Sequence, residues 1–260
     1  GVDEFQVRVA PVEQRFDVAI AQLKRSNIKR RLGGQYVYQL PWYLIIGPPG
    51  CGKTTALVNS GLRFPLADRF GQDPIGGVGG TRNCDWWFTD QAVLLDTAGR
   101  YTTQDSYEMV DSAAWLGFLG LLKKHRPRRP VNGVLVAVSL ADLMEQTETE
   151  RSIHARAIRK RVQELYQHLG IRIPIYLLFM KADLIAGFME FFADLGKEDR
   201  AQVWGTTFPL DEQTGSGPGI GAFPRELDRL EERLNERLLT RIQEERNPEK
   251  RVIVESAHGN

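Results

Sequence analysis

The residues Gly47-Pro48-Pro49-Gly50-Cys51-Gly52-Lys53-Thr54 set glycines, an amine and a hydroxyl at the spacing G-x-x-x-x-G-K-[ST]. A loop that wraps an anion must turn successive backbone N–H groups inward. Glycines permit those dihedrals and leave the ligand room. Lys53 then reaches the β- and γ-phosphates of a nucleoside triphosphate, and the Thr54 hydroxyl offers a hard oxygen to Mg²⁺. Thr55 follows at the start of the next helix. Downstream, Asp96-Thr97-Ala98-Gly99 supplies a carboxylate that would meet the same Mg²⁺ through water, and the Gly99 N–H is placed to sense a γ-phosphate. Thr81 precedes Asp96 by 15 residues and is positioned to close over metal and γ-phosphate. Asp68 and Asp73 are weaker candidates for the same loop.

Two further segments bear on base choice and hydrolysis. Met180-Lys181-Ala182-Asp183 matches the guanine-reading pattern N-K-x-D at the lysine and the aspartate, with Met180 in the asparagine position. The Lys181 stem would stack on a base and Asp183 would accept from it. A carboxylate facing two donors discriminates strongly, because the wrong base leaves it unpaired. Arg100 stands directly after D-x-x-G, where small GTPases carry the glutamine that orients water. A guanidinium stays protonated and is no base. It either stabilises transition-state charge, worth about 10³–10⁵ in rate for an arginine finger, or is a solvated switch residue. The catalytic candidates are therefore Lys53, Thr81 and Arg100. The metal candidates are Thr54, Thr81 and Asp96, and the ligand is Mg²⁺ with GTP or ATP, hydrolysed weakly. Ser256-Ala257-His258 is a further candidate base contact.

These residues need strands that end, and helices that begin, at the right places. Trp42–Ile46 reads as a buried strand before the loop, and a helix from Lys53 to about Ser60-Gly61 follows it. Residues 65–82 are glycine-rich. Trp86-Trp87-Phe88, Asp90-Gln91 and Ala92–Asp96 read as strand, tight turn and strand, with one of the two tryptophans facing outward. Helices are expected over 11–33, 106–124 and 148–169. Buried strands are expected at Val134–Val138 and Ile175–Met180. Residues 184–210 read as helical then irregular, and 215–219 as a flexible break. A leucine-striped helix (Leu227, Leu230, Leu234, Leu238, Ile242) then leads to a strand at Arg251–Val254. Apolar strands alternating with helices predict an α/β fold: a mostly parallel sheet with one antiparallel hairpin strand, helices on both faces, and ligands at the carboxyl ends of the strands. The organisation is a lead-in over 1–40, a nucleotide-binding core over 41–210, and an appended helix and strand over 211–260.

The 260 residues are 42% apolar, enough for a substantial core, and the net charge of +1 gives no bulk argument for nucleic acid. Two cysteines and four scattered histidines argue for a reducing compartment and against zinc. No apolar run approaches the ~18 residues that span a bilayer, and no signal peptide is visible. A chain that opens at Gly1 and stops soon after an apolar run is what an excised domain would look like. The basic clusters Lys24-Arg25 with Lys29–Arg31, and Lys123–Arg126 with Arg128-Arg129, read either as solvated helix faces or as surfaces near anionic lipid, where each cation gains about 1 kcal/mol.

Several motifs together carry a family likeness: Leu40-Pro41-Trp42-Tyr43, Ser60-Gly61-Leu62, Phe64-Pro65-Leu66, Gly79-Gly80-Thr81-Arg82, Cys84-Asp85-Trp86-Trp87, Asp96 to Thr103, Trp115, and Arg126 to Gly133. From about residue 12 to 246 the chain resembles the cytoplasmic NTPase domain of the TssM/IcmF proteins, inner-membrane components of bacterial type VI secretion. The resemblance implies a P-loop NTPase, Ras-like GTPase core with helical additions, held between transmembrane helices absent from this chain. It also implies a TssL-type inner-membrane partner, baseplate components and, through the periplasmic part of the full protein, the TssJ lipoprotein. Members differ in whether they hydrolyse ATP or GTP. D-T-A-G-R also recurs in signal-recognition-particle GTPases, but the hairpin before Asp96 favours the Ras-like arrangement. Three functions stay open: a nucleotide-dependent switch, an ATPase without base selectivity, and a docking module with a vestigial loop.

Overall fold

A computed structural model describes residues 36–63, 84–103, 108–200, 202, 204–208 and 219–244, with isolated positions at 17, 18, 20, 21, 251 and 252. In chain order the first unit holds strand β1 (Trp42–Ile46), helix α1 (Lys53–Val58), the hairpin β2 (Cys84–Phe88) and β3 (Val93–Thr97), and helices α2 (Gly99–Thr103) and α3 (Glu108–His125). Strand β4 (Gly133–Ser139), helices α4 (Leu140–Glu145) and α5 (Glu148–Leu169), and strand β5 (Ile175–Met180) complete it. The second unit begins at Ala182 and contains α6 (Phe188–Phe191), α7 (Lys197–Arg200) and α8 (Gly219–Glu244).

Among the described residues the sheet has five strands, in the order β2-β3-β1-β4-β5. All pairings are parallel except the β2–β3 hairpin. Alternation divides the strand residues between two faces. Trp42, Leu44, Ile46, Trp86, Phe88, Val93, Leu95, Val134 and Val136 pack with Trp115, Phe118, Leu119 and Leu122 of α3 and with Leu165 and Leu169 of α5. Ile45, Trp87 and Leu94 pack with Leu57 of α1 on the opposite face. The α5 helix starts with a reciprocal cap between Thr147 and Glu150 and stops at Gly170, whose left-handed backbone ends it. In the second unit, Phe191 of α6 packs with Leu238, Leu234 and Ile242 of α8.

Several expectations from the sequence change here. Strand β5 is not buried: Ile175, Tyr176, Leu177, Leu178 and Phe179 are all exposed. It is the edge of the sheet, and a continuous apolar run signals burial only where both faces are covered. Trp86 and Trp87 do alternate, but both faces are covered, so neither tryptophan points outward to solvent. Arg251 and Val252 are helical rather than extended. Four apolar or basic residues are too few for periodicity to decide between the two states. The α4 helix was not anticipated. Arg126, grouped above with solvated or lipid-facing cations, is buried and stacks on Trp42 (4.4 Å to the ring centre) and Tyr38 (5.1 Å). Its burial lowers the guanidinium pKa to about 10. The helix expected over 11–33, the glycine-rich loop 65–82, the break at 215–219 and the strand residues 253–254 lie wholly or mostly outside the described residues.

Candidate functional site

The carboxyl ends of β1 and β3 are where the sequence motifs meet. The loop between β1 and α1 turns through Gly52, which has φ +98° at the start of α1, a conformation that needs glycine. Lys53, the first residue of α1, is buried and curls back over the loop. Its ammonium donates to the carbonyl oxygens of Gly47 (2.9 Å) and Pro48 (3.0 Å). The next residue, Thr54, donates its hydroxyl to Asp96 Oδ2 at 2.6 Å, 42 residues away in the chain. Asp96 is fully buried.

Gly99 opens α2 directly against the loop. A Cβ there would lie 2.4 Å from Pro49 N and 2.5 Å from Pro49 Cα, so only glycine fits. The loop is also tied from the other side, where Gly47 N–H donates to Thr102 Oγ1 of α2 at 3.1 Å. Thr97 donates to the Ile45 carbonyl at 2.7 Å and locks β3 to β1 just beneath. Cys51 is buried within the loop; burial pushes its thiol pKa up, against the opposing pull of Lys53. Pro49, Gly50 and Thr55 are exposed.

Arg100, Met180 and Lys181 belong to the same unit as this centre. The Arg100 Nε donates to Asp111 Oδ1 of α3 at 3.1 Å, and Asp111 is buried. Its guanidinium lies 5.2 Å from the Tyr101 ring. Met180, standing where a guanine reader has asparagine, ends β5 against the loop: its Cε is 3.8 Å from where a Gly52 Cβ would be. Lys181 follows, with Nζ 3.1 Å from Asp142 Oδ1. Burial disfavours the Asp142 carboxylate, but the Ser139 hydroxyl, Lys181 and His154 outweigh it, so its pKa falls below the usual range. Asp183 sits in the 3₁₀ turn Ala182–Leu184 and is exposed. Thr81, Asp68, Asp73 and Ser256-Ala257-His258 lie outside the described residues.

Three residues at this end of the sheet were missed from sequence. Asp85 of β2 pairs directly with Asp96 across the hairpin and is buried. Directly opposite residues share a face, so counting back from the Asp90-Gln91 turn would have found it. Asp111 answers Arg100 across 11 residues and leaves no short-range signal. Asp142 had one: Ser139-Leu140-Ala141-Asp142 is an S-x-x-D helix start after a strand. The Asp142 N–H indeed donates to Ser139 Oγ at 3.1 Å. Among the described residues no cluster of three or more His, Cys, Asp or Glu is arranged to hold a metal, and no helix is long and apolar enough to cross a membrane.

The donor set suits a hard divalent cation. A hydroxyl and a buried carboxylate meet at 2.6 Å, beside a loop that an ammonium already closes. Oxygen ligands of this kind are those Mg²⁺ takes.

A family model described as the IcmF-related N-terminal domain matches residues 108–256. The chain is also 58% identical over 249 residues to the type VI secretion system component TssM1 of Pseudomonas aeruginosa. That match takes in 95% of this chain and 22% of the relative, so the chain spans about a fifth of that protein's length.

Proposed function

We propose that this chain, which belongs to the IcmF-related (TssM/IcmF) family of type VI secretion components, holds a magnesium nucleoside triphosphate at the carboxyl end of its sheet and acts as a nucleotide-dependent switch. The observation that carries this is the 2.6 Å bond from Thr54 to Asp96, which brings two motifs 42 residues apart to one point. Mg²⁺ would be held there by Thr54 and Asp96, with Thr81 contributed by the glycine-rich segment. Bound metal would supply charge neutralisation between the β- and γ-phosphates. The chain's own groups do the rest. Lys53 is poised over the loop to exchange the Gly47 and Pro48 carbonyls for phosphate oxygens, and the loop's N–H groups and the N-terminus of α1 add donors. Gly99, set so close to Pro49 that a Cβ would collide with it, would pass a change at the γ-phosphate to α2.

GTP is the favoured base partner through Lys181 and Asp183, with ATP the alternative. Hydrolysis is slow, because Arg100 replaces the water-orienting glutamine and is engaged by Asp111. For the full protein we propose a cytoplasmic placement of this part at the inner membrane, with a TssL-type membrane protein and the baseplate as partners of the switch. The TssJ lipoprotein would be met through a periplasmic part. A second reading, a docking module with a silent loop, draws on the same contacts: Lys53, Thr54 and Arg100 each already have protein partners.

Calorimetric titration with GTP and ATP, with and without Mg²⁺, separates the two. The switch reading expects magnesium-dependent uptake that Lys53→Ala and Asp96→Ala weaken on the order of 100-fold. Folded protein that takes up neither triphosphate leaves only the docking module.

A further inference from the structure

We propose that Asp142 is the positioning residue that holds Lys181 as the platform for the base of a bound nucleotide. This deepens the reading above and rests on it. Lys181 is the one non-glycine residue with a left-handed backbone among those described, at φ +58°. Such a conformation is unfavourable for a residue with a Cβ and persists only where the surroundings hold it. The Lys181 ammonium meets Asp142 at 3.1 Å, but the two side chains are 29% and 39% exposed. An ion pair this solvated adds little to stability. It is therefore a poor compensation for a strained backbone, and the strain points to function instead.

The geometry gives that function a location. Ser139 and Met180 are register partners at the ends of β4 and β5. Ser139 caps α4, which lifts Asp142 above the strand ends. Met180 carries the end of β5 onto Gly52 of the phosphate-binding candidate loop. Lys181 is next in the chain, so its root is fixed beside the loop while its tip is fixed by Asp142. A lysine pinned at both ends presents its four methylenes as a fixed apolar surface, as stacking on a base requires. Met180 brings no side-chain amide to hold the segment beyond the strand, which leaves the carboxylate of Asp142 to hold the Lys181 side chain.

The test uses the whole chain and three probes: Mg-GTP, Mg-ATP and Mg-tripolyphosphate, each followed by calorimetry. Asp142→Asn is expected to weaken the nucleotides by about two- to fivefold and leave tripolyphosphate unchanged, while Asp142→Glu restores nucleotide affinity. Lys181→Gly is expected to keep or raise the melting temperature, since glycine relieves the left-handed strain, yet to weaken both nucleotides by a similar factor. Equal weakening of all three probes by Asp142→Asn, or of none, overturns the platform. So does a Lys181→Gly protein that melts lower and binds nucleotide normally. Wild-type protein that binds neither tripolyphosphate nor nucleotide defeats the nucleotide reading and the platform together, a result distinct from tripolyphosphate uptake with unaltered nucleotide affinity in Asp142→Asn, which defeats the platform alone.

Discussion

The two halves of the sheet's carboxyl edge are built on opposite plans. At the β1–β3 half, Lys53, Asp96, Thr97 and Tyr101 are buried, the loop is bonded to α1 and α2, and α1 is bonded to β3. At the β4–β5 half, Lys181 and Asp142 are partly exposed, the backbone at Lys181 is strained, and the adjoining strand is open to solvent. The first half is part of the core, so changes there reach both binding and folding. The second is a surface arrangement in which binding and folding come apart.

Substitutions can break that contrast. The largest effect is expected from Lys53→Ala, which removes a charge-assisted donor and leaves the Gly47 and Pro48 carbonyls unanswered. Triphosphate binding should weaken on the order of 100-fold, about 2.7 kcal/mol by titration, with a lowered melting temperature. A loss of binding with no change in melting would place Lys53 outside the core network.

Next comes alkaline pH. Burial raises the Tyr101 phenol from 10.0 to about 12. As pH rises, the unfolded phenol loses its proton first, so the stability contributed is complete below pH 10 and is lost between 10 and 12. The total is roughly 2–3 kcal/mol. Denaturant melts of wild type and Tyr101→Phe across that window should diverge in slope; parallel curves would mean the phenol is not buried in solution.

Gly99→Ala should cost about 2 kcal/mol, since its Cβ would collide with the Pro49 backbone. It should also disturb the loop, seen as faster hydrogen exchange at Gly47–Gly52. Asp111→Asn frees Arg100 from its carboxylate. If the guanidinium serves the γ-phosphate, single-turnover hydrolysis should rise several-fold, about 1 kcal/mol in barrier; an unchanged rate would assign Arg100 to the fold. Smallest of all, Asp142→Asn should move stability by less than about 0.5 kcal/mol. A larger loss there would erase the difference between the two halves.

The same division governs what could be read from sequence. The β1–β3 half was legible because each residue is announced by its neighbours in the chain: an apolar strand, then glycines, then a lysine at a helix start. The hairpin and the bounds of α5 were equally local, since a period of two or 3.6 repeats long enough to be counted. What failed was whatever depends on an absent neighbour or a distant one. The exposure of β5 depends on its place in strand order, which composition does not encode. Trp87 is buried because α1 covers that face, a fact about crossover rather than alternation. Asp111 answers its cation from another element, so no spacing rule reaches it; the spacing that announces Asp142 marks a helix start and says nothing of the lysine 39 residues away. The α4 helix is only six residues long and its cap signal was overshadowed by the apolar strand before it.

The pairing of Cys84–Phe88 with Val93–Thr97 sets Trp87 opposite Leu94, two residues along from the Asp85–Asp96 pair and on the same face. Two steps along a strand span about 7 Å. A water-shielded indole on the same face as two carboxylates, two backbone steps away, is an intrinsic voltmeter: its emission colour follows the local electric field. Any divalent charge arriving between strand and helix should therefore report itself optically, without a label, through a residue that takes no part in holding it.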